Sequence, residues 1–204
     1  MLNVFARSSL ARVTDPIGVW LLRRGVTPDV VTVLGTVGTV ASALWFFPRG
    51  QLFAGTVAVT LFVLFDMLDG AVARARGHGT PFGTVLDATC DRIADGALFA
   101  GLTWWCFGVG ANRPLAVAAL GCLVTAQVIS YIKARAEATG LTTEGGVAER
   151  PERFIVALVG TGLTGLGVPF AVDIALWLLA VVSVVTVAQR MAAVFHSARR
   201  LEER

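Results

Sequence analysis

The feature that most constrains this chain is a set of four aspartates next to a long apolar run. Asp66, Asp69, Asp87 and Asp91 lie within 26 residues, and the stretch before them, from Leu52 to Phe65, carries no charge. A charged side chain at membrane depth costs about 3 kcal/mol or more, so ionisable residues there usually serve a function. Four acids in one such stretch therefore mark a candidate functional site.

The first two acids are spaced to share one face of a helix. Successive residues of an α-helix advance by about 100°. The face that carries Asp66 therefore also carries the second acid, two small residues and an arginine, which are Asp69, Gly70, Ala73 and Arg74.

The other two acids are predicted to stack along the next helix. Asp87 and Asp91 follow Gly83 at intervals of four residues, which places all three on one helical face. The segment 77–81 between the helices contains two glycines and a proline and favours a tight turn. The two acidic faces can therefore meet.

Acids that face one another need counter-charges. Four adjacent carboxylates cannot all stay ionised without cations between them. Oxygen-only ligands suit hard ions such as Mg²⁺, with Mn²⁺ able to substitute. Two divalent ions would balance the four negative charges, as in a two-metal phosphoryl-transfer site. The predicted metal ligands are thus Asp66, Asp69, Asp87 and Asp91.

The acidic segment as a whole resembles a known signature. From residue 66 to residue 91 it reads D-x2-D-G-x2-A-R-x8-G-x3-D-x3-D, which matches the signature of the CDP-alcohol phosphotransferases at every fixed position. That family consists of integral membrane enzymes that move a substituted phosphate from a CDP-linked donor to an alcohol and release CMP. The resemblance implies such an activity here.

The resemblance also implies residues for the CDP-linked donor. The sequence alone favours an ordinary helix start at this position, but members of the family carry a similar Pro-(Asn/Asp)-x2-Thr element near the nucleotide, and the resemblance favours a binding role. Glycines would let the nucleotide approach the backbone closely, an arginine would pair with a phosphate, and a threonine would offer a hydroxyl. The predicted donor-binding residues are Asp29, Val30, Val31, Thr32, Gly70, Ala73, Arg74, Thr80 and Gly83.

Composition and apolar runs predict an all-α integral membrane protein. The chain has 204 residues, of which 55% are hydrophobic, and its mean hydropathy is +0.73. A helix needs about 20 apolar residues to cross a bilayer core of about 30 Å. Six such spans are predicted, at 30–47, 52–75, 83–108, 114–137, 153–170 and 174–196.

The six spans are predicted to form one domain over the whole chain, 1–204. Its parts are an interfacial N-terminal segment (1–26), a six-helix bundle (27–196) and a cytoplasmic tail (197–204). Within the first part, a short amphipathic helix is expected to begin with Asp15 as its N-cap and Pro16 in its first turn.

Basic residues predict the orientation. Arg49 and Arg113 would lie on one side of the membrane and Arg92 within a span, whereas the other fourteen Lys and Arg would lie on the opposite side. Basic residues concentrate on the cytoplasmic side. Both termini and the acidic site are therefore predicted to face the cytoplasm of a plasma-membrane protein. The scattered charges do not form the clustered patch that nucleic acid would need.

Three basic residues are candidates for binding an acceptor phosphate. Lys133, Arg153 and Arg190 come from three different spans on the predicted cytoplasmic side, and Arg and Lys both bind phosphate. The alternative is that they only mark topology and pair with nearby acids, which are Glu137, Glu149 and Glu152.

The same part of the chain resembles one subfamily, the actinobacterial phosphatidylinositol-phosphate synthases. The similar segments are YIKARAEA (131–138), ERPER (149–153) and Gln189-Arg190. This resemblance implies CDP-diacylglycerol as donor, 1D-myo-inositol 3-phosphate as acceptor and a homodimer. A phosphatidylglycerol-phosphate synthase, which shares the signature, stays open as the alternative acceptor type.

For the reaction itself, Asp91 is the candidate base for the acceptor hydroxyl. No nucleophile–base pair of the acyl-enzyme kind is present in the sequence, which favours a single displacement. Asp95 continues the stripe of Asp87 and Asp91, and a supporting or packing role is expected for it. Acids within spans are also typical of cation or proton transporters, but such pathways do not require the interleaved Gly-x2-Ala-Arg pattern.

Overall fold

The computed structural model describes residues 14–143, 146–147 and 149–202, and over these residues it contains helices and no strands. The prediction of an all-α chain is therefore confirmed. The helices are α1 (14–23), α2 (Pro28–Phe46), a 3-10 turn (Phe47–Arg49), α3 (Leu52–Asp66), α4 (Leu68–Arg76), α5 (Pro81–Phe107), α6 (Arg113–Ala138), α7 (Arg150–Gly165) and α8 (Ala171–Glu202).

Local sequence explains most of the helix ends. The Thr27 hydroxyl accepts a hydrogen bond from the Val30 N–H at the start of α2, and the Asn112 side chain caps α6 by accepting from the Leu115 N–H. Gly77 ends α4 with a φ of 91°, a conformation that glycine adopts without a steric penalty.

Several boundaries differ from the prediction, and α8 (Ala171–Glu202) extends beyond its predicted end at residue 196. Thr14 and Asp15 are already helical, so Asp15 is not the N-cap of α1. The predicted second span is interrupted at Met67, which separates α3 from α4. The predicted fifth span begins earlier, at Arg150, because Pro151 fits a first helical turn, and it ends earlier, at Gly165.

Within the described part of the chain, four helical segments are long and apolar enough to cross a membrane by length and composition, and these are Pro28–Arg49, Leu52–Arg76, Arg113–Ala138 and Ala171–Leu201. The other two predicted spans are helical but differ in character. Helix α5 carries four charged residues between Asp87 and Asp95, and α7 has 16 residues.

The chain divides into two compact units. The first unit comprises the described part of Met1–Ser42 together with Ala58–Ala94. Its helices approach one another closely at glycines. A Cβ atom on Gly18 would lie 2.6 Å from the carbonyl carbon of Ala71, and one on Gly35 would lie 2.8 Å from the Cβ of Asp66. Glycine is therefore required where α1 meets α4 and where α2 meets the first acid.

The second unit comprises Ala43–Val57 and Asp95–Arg204. Within it, α8 packs against both α6 and α7, and a Cβ on Gly160 would lie 2.4 Å from that of Ala175. The core of this unit is apolar and fully buried, with Phe99, Leu102 and Leu176 among its largest side chains. Asp95 and Arg153 are also buried in this unit.

Candidate active site

Three of the four predicted metal ligands converge. Asp66 ends α3, while Asp87 and Asp91 lie one turn apart on α5. One carboxylate oxygen from each of these three residues lies within 4.8 Å of the others. Asp66 and Asp91 are half-buried and Asp87 is exposed. Three oxygen donors at this spacing fit a hard divalent cation such as Mg²⁺ or Mn²⁺.

In the part of the chain that the structure describes, the fourth acid, Asp69, makes hydrogen bonds to other residues and does not join the three converging carboxylates. Asp69 lies in the first turn of α4, where its Oδ2 accepts a hydrogen bond of 2.8 Å from the Thr32 hydroxyl. Its Oδ1 accepts from the backbone N–H of Gly70. Among the described residues, Asp69 does not belong to the group of three converging carboxylates. It connects α4 to the start of α2 instead.

A cavity of about 210 Å³ lies in the first unit beside these acids. Six of the nine predicted donor-binding residues line it, and these are Asp29, Thr32, Gly70, Ala73, Thr80 and Gly83. Asp69 and Asp87 line it as well. Val30 and Val31 do not belong to the lining, because Val30 is exposed on the outer face of α2 and Val31 is buried in the core.

Residues at the start of α5 line one side of the cavity. The Thr80 hydroxyl accepts a hydrogen bond of 2.9 Å from the Gly83 N–H, which is the arrangement of a helix cap. A Cβ on Gly83 would lie 3.0 Å from that hydroxyl and 3.2 Å from Oδ1 of Asp29. A larger side chain at Gly83 would therefore fill the space between Asp29 and Thr80.

The sequence did not single out four other lining residues, which are Arg76, His78, Gly79 and Thr84. All four lie in or beside the turn between α4 and α5. Their position follows from the path of that turn, which the residue types alone do not determine. Arg76 and His78 add two potential hydrogen-bond donors to the cavity.

Arg74, the predicted phosphate ligand, is outside the cavity lining and is paired with an acid. Its Nη2 and Nε donate hydrogen bonds of 2.8 Å and 3.2 Å to Oδ1 of Asp15 on α1. Both side chains are about half exposed, at 55% and 50%. An ion pair with this exposure is weak, because water screens it.

The three predicted acceptor-binding residues all lie in the second unit, and each has its own acidic partner. Lys133 is exposed and lies 4.0 Å from Glu137, one turn further along α6. Arg190 lies 3.7 Å from Glu149. Arg153 donates a hydrogen bond of 3.0 Å to Asp95. Two of the three partners, Glu137 and Glu149, were predicted.

Arg190 is largely buried and is anchored by a backbone contact. Its side chain is 7% exposed, and its Nη1 donates a hydrogen bond of 3.0 Å to the backbone carbonyl of Ile129. Its Nε is buried and has no hydrogen-bond partner among the described residues. A Cβ on Gly146 would lie 3.4 Å from this Nε. A buried guanidinium with an unused donor favours a ligand that brings an oxygen to it.

Comparison with known proteins identifies the family. A family model described as CDP-alcohol phosphatidyltransferase matches residues 25–188. The chain is 58% identical over 199 residues to the phosphatidylinositol phosphate synthase of Mycobacterium tuberculosis, with 96% of this chain and 92% of that protein covered. It is 46% identical over 201 residues to the protein of the same name from Streptomyces avermitilis, with 95% and 82% covered.

Solved structures give the same result. A crystal structure of the Mycobacterium tuberculosis phosphatidylinositol phosphate synthase with CDP-DAG bound is similar, with a TM-score of 0.88 and 59% identity, covering 91% of this chain and 95% of that one. A second structure of that enzyme, in complex with manganese and citrate, also has a TM-score of 0.88 and 59% identity, with 90% of each chain covered. This chain therefore belongs to the CDP-alcohol phosphatidyltransferase family.

Proposed function

We propose that this protein is a phosphatidylinositol-phosphate synthase. It transfers the phosphatidyl group of CDP-diacylglycerol to 1D-myo-inositol 3-phosphate and releases CMP. The observation that carries the proposal is the convergence of Asp66, Asp87 and Asp91 within 4.8 Å beside a cavity lined by signature glycines. Near full-length identity of 58% to an enzyme of that name supports the acceptor.

The acidic cluster fits a divalent metal site. Asp66, Asp87 and Asp91 offer the converging oxygens, and Asp69 completes the predicted set of four. Two Mg²⁺ ions are proposed for each active site, with Mn²⁺ as a substitute, and the manganese complex of the relative supports this choice. When bound, the ions supply positive charge to the donor diphosphate and to the leaving CMP.

The chain's own residues are proposed to orient the donor. Asp29 and Thr32 at the start of α2 would contact the nucleotide from one side of the cavity. Gly70, Ala73 and Gly83 leave room for it, and Thr80 offers its hydroxyl. Arg74 would exchange its bond to Asp15 for a donor phosphate, since an exposed ion pair is easily exchanged.

The acceptor is proposed to bind through Lys133, Arg153 and Arg190. Arg190 is anchored on the carbonyl of Ile129 through its Nη1, and its Nε, which has no hydrogen-bond partner among the described residues, would donate to a phosphate oxygen. The hydroxyl of the acceptor gives its proton to Asp91 and attacks the donor phosphorus directly, so the phosphatidyl group moves in a single displacement.

The membrane arrangement completes the proposal. All six predicted spans cross the bilayer, α1 lies in the cytoplasmic interface, and residues 1–204 form one catalytic domain. Both termini and the acidic cluster face the cytoplasm of the cell membrane, as the distribution of basic residues favours. The protein acts as a homodimer.

The proposal is tested by measuring CMP release from CDP-diacylglycerol by purified protein in detergent. Inositol 3-phosphate, glycerol 3-phosphate, free inositol and serine are offered separately, and inositol 3-phosphate is expected to give the highest kcat/KM. If glycerol 3-phosphate is the better acceptor, the acceptor assignment is wrong while the family stands. If no acceptor gives CMP release in the presence of Mg²⁺, the proposed activity is wrong.

A further inference from the structure

The buried interior of the second unit contains one carboxylate shared by two arginines. Asp95 on α5 has no exposed surface. Its Oδ2 accepts a hydrogen bond of 3.0 Å from Nη2 of Arg153, and its Oδ1 accepts one of 3.1 Å from Nε of Arg150. Both arginines belong to the first turn of α7. Asp95 therefore holds two cationic side chains of one helix from a neighbouring helix.

The two arginines of this cluster differ in environment. Arg150 keeps 26% of its side chain exposed, and its guanidinium lies 4.9 Å from the ring centroid of Phe154, so an aromatic contact also restrains it. Arg153 is almost completely buried, with 2% of its side chain exposed. Burying the guanidinium of an arginine is costly unless a carboxylate pairs with it, and Asp95 provides that carboxylate.

We propose that Asp95 is a positioning residue for the acceptor phosphate: it fixes the orientation of the Arg153 guanidinium, and so decides how tightly the phosphorylated acceptor binds. This inference rests on the proposed function, in which Arg153 is an acceptor ligand. An arginine side chain has several rotatable bonds, and preset geometry reduces the rotational freedom that is lost when a phosphate binds.

A substitution that changes the net charge of Asp95, Arg150 and Arg153 can distinguish an effect on the orientation of Arg153 from an effect of net charge. Replacing Asp95 with Asn removes one negative charge next to two arginines and makes the region more positive. If net charge alone governed the acceptor site, a phosphate would bind more tightly to the variant. If orientation governs it, the phosphate binds more weakly. The two explanations therefore predict opposite changes in the KM for the acceptor.

The first variant is Asp95→Asn, which keeps the size of the side chain. The KM for inositol 3-phosphate is expected to rise about tenfold, the size of one charge-assisted hydrogen bond. The kcat at saturating acceptor and the KM for CDP-diacylglycerol are expected to stay near those of the parent. The matched control is Asp173→Asn, a change of the same kind where the acid accepts a hydrogen bond from Asn112, and its acceptor KM should not change.

A second variant keeps the test valid if Asp95→Asn does not fold. The double variant Asp95→Asn/Arg150→Gln removes one negative and one positive charge, so the parent's net charge is retained. The acceptor KM is expected to stay raised, because Arg153 still lacks its carboxylate. A KM equal to that of the parent would overturn the proposal, as would a lowered KM in the single variant.

A double-mutant cycle tests whether Asp95 acts through Arg153. In an Arg153→Lys background, Asp95→Asn should raise the acceptor KM much less than it does in the parent, since coupled residues are not additive. Full additivity would overturn the proposal. If the parent prefers glycerol 3-phosphate, the same comparisons are made with that acceptor, so an error in the acceptor assignment is distinguished from an error in the role of Asp95.

Discussion

The guanidinium of Arg74 and the carboxylate of Asp15, separated by 59 residues in the chain, form a hydrogen-bonded ion pair of 2.8 Å. The pair joins α1 to α4, the helix that carries the arginine of the family signature. Because Arg74 is also the proposed ligand of a donor phosphate, Asp15 competes with the donor for the same cation.

We therefore expect Asp15→Asn to improve donor binding modestly. An exposed ion pair contributes about 0.2–1 kcal/mol, so the KM for CDP-diacylglycerol should fall by at most about fivefold. The difference should shrink at high salt, which screens exposed charges. Asp15→Glu is the control that keeps the charge. A raised donor KM in Asp15→Asn would mean that Asp15 holds Arg74 in its binding position.

The acidic cluster predicts loss of turnover on removal of any of its members. The substitutions Asp66→Asn, Asp69→Asn, Asp87→Asn and Asp91→Asn should each lower kcat by at least about a hundredfold, because metal-ion catalysis contributes several kcal/mol. EDTA should have the same effect, and added Mg²⁺ or Mn²⁺ should reverse it. Full activity in chelator would contradict the metal assignment.

Measurements of Mn²⁺ binding can distinguish the three converging acids from Asp69. Titration followed by electron paramagnetic resonance should give weakened binding for variants of the three converging residues, Asp66, Asp87 and Asp91. Thr32→Val should retain Mn²⁺ binding, since Thr32 contacts the cluster only through its bond to Asp69 among the contacts described. Loss of Mn²⁺ binding in that variant would show that the Asp69 contact determines the metal site.

Arg190→Ala is expected to weaken acceptor binding. Charge-assisted hydrogen bonds to a phosphate contribute about 1.5–3 kcal/mol, so the acceptor KM should rise by about tenfold to a hundredfold. The donor KM should change little. Free inositol should be a poor substrate of the parent and should lose little further rate in the variant. Equal losses for donor and acceptor would mean that Arg190 supports the fold through its bond to Ile129.

Membrane topology is tested by labelling introduced cysteines from each side of the membrane. The native Cys90, Cys106 and Cys122 are buried and should give little background. Cysteines at Arg24 and His78 should react from the cytoplasmic side, and those at Gly50, Asn112 and Gly167 from the outside.

The labelling experiment tests in particular whether α5 and α7 cross the membrane. Labelling of His78 and Asn112 from the same side would mean that α5 does not cross the membrane. Labelling of Gly167 from the cytoplasmic side would mean the same for α7, which has 16 residues.

Local sequence was sufficient for much of the architecture. Thr80 caps α5, which begins at Pro81, and Pro151 lies in the first turn of α7, as residues with capping side chains or restricted backbones usually do. The interruption at Met67 was not predicted, because methionine is a good helix former and no glycine or proline marks the position.

The sequence was sufficient to identify the four acids. It was not sufficient to show that three of them converge while Asp69 makes separate contacts. Helical periodicity places Asp66 and Asp69 on one face. In the unbroken helix that was predicted, both carboxylates would therefore have been expected to bind the same metal ion. The break at Met67 puts Asp69 in a new helix, where Thr32 from α2 binds it. Likewise Asp95 was expected to support or pack, but its pairing with Arg150 and Arg153 depends on the packing of α5 against α7.

The outward face of α2 has a consequence for kinetics. Val30, Leu34 and Val37 are about half exposed, next to Asp29 and Thr32, which line the cavity. A diacyl donor stays in the bilayer because each buried methylene contributes about 0.8 kcal/mol, so we expect it to reach the cavity by lateral diffusion within the membrane. The rate should therefore follow the mole fraction of donor in the micelle or bilayer, and diluting it with inert lipid should slow turnover even when its bulk concentration is unchanged.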